Sequence, residues 1–189
     1  MKKGWTTTKL IAVGSLAVLH MILSLTGAGL QAVVGLPIVA GVVNGFFAEA
    51  IVIICLLSIN KFGAAAFLRT IYSILVLPLA TLGTPGFLPK VVIGASSGLI
   101  VDILYIFLKK WDGVGSAIII GGISEVYLDL TIVGLGKLFT MPGIEQAANL
   151  FLKPEMLVGA FIMGSIGGYL GYLIYQKIKD TAVVKRIQL

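Results

Sequence analysis

The feature that most constrains this chain is a succession of long apolar runs, each about the length that crosses a bilayer. Six such runs separate cleanly, at about residues 9–26, 36–59, 62–82, 89–108, 114–139 and 155–178. A membrane-spanning helix needs about 20 mainly apolar residues, so the pattern predicts an all-α integral membrane protein. Composition agrees with the pattern. Hydrophobic residues make up 58% of the 189, charged residues 12%, and mean hydropathy is +1.08. Soluble domains carry about 25% charged residues, so polar surface is too scarce here to coat a ball of this size in water. A soluble enzyme, a soluble nucleic-acid binder and a disordered chain are all excluded on that ground.

The expected architecture is a single compact domain of six transmembrane helices. Short connections at Asn60-Lys61 and at 109–113 make the second and third runs, and the fourth and fifth, tight antiparallel pairs. The stretch 140–154 is the longest polar connection, and its 144–152 part reads as a short interfacial helix. Lys2-Lys3 ahead of the first run resembles a signal peptide, but further spans follow and the run reads as an uncleaved first helix.

The net charge of +6 does not gather into one patch. With a cytoplasmic N-terminus, the inner side holds Lys2, Lys3, Lys9, Lys61, Lys109, Lys110, Lys177, Lys179, Lys185 and Arg186. The outer side holds only Lys90, Lys137 and Lys153. The positive-inside rule then places both termini in the cytoplasm; the expected location is the plasma membrane of a prokaryote.

Ionisable groups at membrane depth cost about 2.5–3.5 kcal/mol each on insertion scales, so each needs a partner or a task. Glu49 and Arg69 match in depth on adjacent antiparallel runs. They read either as a structural ion pair or as groups that handle a ligand or a proton. Gly122, Glu125, Asp129, Ile132 and Gly136 recur three and four residues apart, which puts them on one helical face. Two carboxylates on one stripe belong in a bundle interior or a cavity, as ligand groups or as bridges to a neighbouring helix. Asn44 and Ser96-Ser97 could face the same space. His20, the only histidine, and Cys55, the only cysteine, read first as packing residues. Gly164-xxx-Gly168, Gly167-xxx-Gly171 and Gly41-xxx-Gly45 are small-residue pairs that let helices pack closely in lipid.

No G-x-x-x-x-G-K-[ST] phosphate loop, H-E-x-x-H or G-x-S-x-G motif is present, so an ATPase, metalloprotease or serine-hydrolase reading has no support. The chain reads as a non-enzyme. A candidate ligand site is lined by Gln31, Asn44, Ser96, Glu125, Tyr127 and Asp129. Paired carboxylates in a low-dielectric pocket favour a cationic or amine-bearing ligand. The alternative is a stand-alone carrier or channel in which Glu49, Arg69 and His20 form a proton path.

The segment Asn60-Lys61-Phe62-Gly63-Ala64-Ala65-Ala66, the stretch Gly94-Ala95-Ser96-Ser97-Gly98, and Lys109-Lys110-Trp111 carry a family likeness. With the short six-run layout and basic ends, they resemble the substrate-binding (S) components of energy-coupling factor (ECF) vitamin transporters, in particular the YkoE-like branch. That resemblance implies a subunit that captures a micronutrient, such as a thiamine precursor, from outside. It also implies docking on a transmembrane coupling subunit through small residues of the first helix, and tilting when two ATPase subunits turn over ATP. The small positions here are Ala12, Gly14, Ser15 and Ala17, without the Ala-x-x-x-Ala common in the family. The resemblance implies no cofactor in this chain itself.

Overall fold

In a computed structural model the chain is described over residues 4–34, 37–82 and 84–189, with the side chains of residues 31, 32, 37–40 and 42 also outside the description. The described chain is all helical. Its elements are α1 (Thr7–Val34), α2 (Pro37–Ile59), α3 (Ala64–Leu75), α4 (Pro89–Leu108), α5 (Gly113–Leu138), α6 (Ile144–Phe151), α7 (Pro154–Ile178) and α8 (Ala182–Gln188). Among the described residues, four helices are long and apolar enough to cross a membrane: Thr7–Leu30 of α1, α4, α5 and α7. Shorter apolar helical stretches occupy Val43–Ile59 and Ala64–Leu75. The six spans expected from the sequence are therefore replaced by four full-length candidates and two shorter ones.

Starts and stops follow local chemistry. Pro89 and Pro154 open α4 and α7 at the first helical turn, where a missing N–H costs nothing. Asp112 caps α5 by accepting the Gly115 N–H at 3.4 Å, and Thr181 caps α8 through the Val184 N–H. The Gly27–Gly29 region, expected to begin a loop, stays helical, and α1 runs on to Val34.

The third run departs furthest from expectation. A helix over 62–82 was expected, yet α3 has only 12 residues. Pro78 has no N–H to continue the ladder and disfavours helical backbone at Leu77 before it. The chain then turns through Leu82 with φ 59° and Gly86 with φ 76°.

Both ends of this short helix are held by α4. At its N-terminus Gly63 sits at φ 89° and supplies no side-chain cap. Asp102 takes that role from α4, accepting the Ala65 N–H at 3.2 Å and the Ala66 N–H at 2.9 Å. At the C-terminus the Lys90 ammonium donates to the carbonyls of Val76 (3.3 Å) and Leu79 (2.5 Å). A carboxylate thus meets the positive end of the helix dipole and an ammonium meets the negative end. Lys90 and Asp102 are twelve residues apart on α4, as long as the 12-residue α3 between them, or roughly 18 Å at the helical rise. Gly94 and Gly98 complete a four-residue stripe, Lys90-Gly94-Gly98-Asp102. A methyl group on Gly98 would stand 2.5 Å from the Ala66 Cα and 2.6 Å from the Ala65 oxygen, so only glycine admits this approach. Lys90, counted among the outer-side lysines at the start of the fourth run, is fully buried.

The helix packing otherwise uses the same device. α7 presents Gly164 and Gly168 to Gly121 of α5, and Gly167 and Gly171 to α2. A methyl on Gly171 would fall 2.9 Å from the Ala50 Cα. The apolar core gathers Val13 and Ala17 of α1, Ile51–Leu56 of α2, Leu68 and Tyr72 of α3, and Val101 of α4. Cys55 is buried there with its thiol 3.7 Å from the Ala64 oxygen.

Candidate functional site

Where α2, α3 and α5 meet, the apolar interior holds a charged cluster. Glu49 of α2 and Arg69 of α3 form an ion pair, with Arg69 Nη2 donating to Glu49 Oε1. Ser124 of α5 joins them: it accepts from Arg69 Nη2 at 2.8 Å and donates to Glu49 Oε1 at 3.0 Å. Glu49 and Ser124 are completely buried, and Arg69 is 3% exposed. The bonds leave Glu49 Oε2 and Arg69 Nη1 without a hydrogen-bond partner.

Glu125 follows Ser124 on α5 and extends the cluster. Its carboxyl presses on the bare backbone of Gly45 of α2, where a methyl group would lie 3.0 Å from its Cδ. Its Cβ faces Gly164 of α7, where a methyl would lie 2.8 Å away. Two glycines therefore make room for one acid at the junction of α2, α5 and α7. Glu125 feels the charges of both Glu49 and Arg69. Its Oε2 is buried and unpartnered. Asp129 stands one turn along the same face, half-buried.

The charge arithmetic of this region is uneven. Arg69 answers Glu49, the α3 amides answer Asp102, and the Val76 and Leu79 carbonyls just past α3 answer Lys90. Glu125 and Asp129 form no ion pair among the described residues, and the Arg69 charge that reaches Glu125 is already paired with Glu49. A buried carboxylate without compensation is costly, so the site calls for a proton or a bound cation.

Beside the cluster, His20 of α1 is 4% exposed and stacks on Tyr72 of α3, with ring centroids 3.7 Å apart and planes 10° apart. The Tyr72 hydroxyl bonds to Ser24 Oγ at 2.9 Å, and His20 Nδ1 has no partner. Tyr72 is three residues from Arg69, so the stack and the ion pair share one face of α3.

The other residues expected at a ligand site are dispersed. Ser96 is half-buried and donates to the Ile93 carbonyl of its own helix at 3.1 Å. Tyr127 leaves α5 about 200° round from Glu125, since residues two apart do not share a helical face. Asn44 keeps a buried, unpartnered Oδ1 on α2, next to Gly45. The side chain of Gln31 lies outside the described residues. Of the small residues on α1, Ser15 is exposed, Ala12 and Gly14 are half-buried, and Ala17 is 0% exposed. Ala17 thus faces the core rather than a surface, because its position falls on the same side of α1 as Val13 and His20.

Sequence reasoning missed Ser124, which touches both members of the ion pair; its place beside Glu125 at the depth of Arg69 was the available signal. Comparison of the chain with protein-family models, with curated proteins and with solved structures finds no match.

Proposed function

We propose that this chain is a membrane-embedded substrate-binding subunit of an ECF-type micronutrient importer, which captures a small cationic ligand of the thiamine-precursor kind from outside. The observation that carries this reading is Glu125: an acid inside an apolar bundle, seated between two glycines, with a free oxygen and no ion-pair partner of its own. Asp129, one turn away, supplies a second acceptor. An amine or amidine donating to these carboxylates would supply the missing charge and satisfy the free oxygen. Both termini are cytoplasmic in this reading, because lysines and arginines crowd the end of the chain's hairpins that lies with them. Without a phosphate loop of its own, the chain draws on two ATPase subunits through a transmembrane coupling subunit. Gly14 and Ser15, on the surface side of α1, are the small residues left to make that contact.

A second reading, a stand-alone carrier, is favoured by the unpartnered atoms of Glu49, Arg69 and His20, which form a string of titratable groups across α1, α2 and α3. Gentle affinity purification from native membranes separates the two. The subunit reading expects a coupling protein and two ATPases to co-purify, and no solute exchange by the chain alone in liposomes. A chain that purifies alone and moves solute unaided overturns it.

A further inference from the structure

Because α4 continues for six residues past Asp102 to Leu108, while α3 starts level with Asp102, the turn at Asn60–Gly63 sits in a recess at the bundle end. The offset is roughly 9 Å at the helical rise. The first turn of α1 and the end of α8 close its sides, giving a cleft of about 1030 Å³. Its polar lining includes Lys61, Lys109, Asn60 and Tyr105, and Ile59, Phe62 and Ile106 give it apolar walls. Asp102 also borders the cleft, but both of its oxygens are engaged by the α3 amides.

Two observations fix where this cleft lies relative to a bilayer. It opens at the ends of apolar helices, and both tryptophans of the chain flank that end. Trp5 packs on Phe67 at 6.1 Å and beside Gly63, and Trp111 follows Lys109-Lys110, 62% exposed. Tryptophans settle at headgroup level, with the ring body in the apolar layer. Basic pockets at that level suit anionic headgroups, whose phosphate takes charge-assisted bonds from lysine.

We infer that this cleft binds the phosphate headgroup of an anionic phospholipid, with Lys61 and Lys109 as its ligands and the exposed Phe62 and Ile106 against the first methylenes of its chains. The site is separate from the Glu125 cluster and does not depend on what that cluster binds. Lipid rather than free phosphate is the occupant because the cleft joins ammonium groups to apolar walls at the membrane edge.

The test uses the full chain in maltoside micelles, with unfolding followed by Tm. Added dioleoylphosphatidylglycerol is expected to raise Tm by several degrees more than dioleoylphosphatidylcholine. The Lys61→Gln/Lys109→Gln double variant is expected to lose that difference. Lys110→Gln, which changes a neighbouring exposed lysine outside the cleft lining, is expected to keep it. Equal effects of the two lipids, or a phosphatidylglycerol effect undiminished in the double variant, overturn the inference. Inorganic phosphate reproducing the whole rise would overturn the lipid assignment in favour of a free anion.

Discussion

Glu49 and Arg69 illustrate how far single residues could be read in advance. Their equal depth on neighbouring runs suggested a pairing, and the two side chains meet with Ser124 as a third member. Removing one partner of a buried pair leaves the other charge stranded, at a cost of about 3–5 kcal/mol. Arg69→Met alone is therefore expected to lower stability by about that amount, and Glu49→Leu/Arg69→Met by less than either single change. Unfolding of the three variants in micelles checks this, and additive losses would mean the pair is not coupled. Glu125 should behave in the opposite way. Glu125→Gln keeps the shape and removes a carboxyl that has no ion-pair partner of its own, so stability is expected to hold or rise while ligand retention falls. A large loss of stability would make Glu125 a structural bridge. Tyr127 and Ser96 were expected to line the same site as Glu125, but nearness in sequence or depth does not fix which way a side chain leaves its helix.

At the scale of elements, α3 holds the main lesson. Hydropathy made the third run a full span because Val76, Leu77, Leu79 and Leu82 are apolar, and apolarity says nothing of backbone continuity. Pro78 was the local signal that the helix stops, and the four-residue spacing of Lys90, Gly94, Gly98 and Asp102 was the signal for what holds it. Neither stands out in a window average. The clamp makes a definite expectation. Lys90→Met strips the Leu79 carbonyl of its donor and leaves the Val76 carbonyl only the Leu79 N–H, and Asp102→Ala strips two α3 amides, at about 1–3 kcal/mol each. Hydrogen exchange should rise around residues 76–80 in the first variant and around Ala64–Ala66 in the second. Exchange unchanged at both ends would show that α3 holds its length without α4. The glycine pairs were read as intramolecular packing, and α7 uses them on α5 and α2.

For the whole molecule, composition and run length gave the all-helical, membrane-sized architecture and most of the α4, α5 and α7 boundaries. The small helix α8 escaped notice because seven residues carry too little pattern to read. The proposed topology has its own check. In a Cys55→Ser background, single cysteines at Lys61, Lys110 and Lys179 are expected to react with an impermeant maleimide from the same side of the membrane, and one at Lys137 from the other. Mixed labelling would break the orientation argued from charge.

The cluster around Glu125 is short of positive charge, and the proposed receptor role follows from that deficit. Native mass spectrometry of gently purified protein measures it directly, since a tight receptor carries its cargo through purification. One small, positively charged molecule per wild-type chain, absent from Glu125→Gln and reduced in Asp129→Asn, is the expected result. An anionic cargo, or the same cargo held equally by all three proteins, would contradict it.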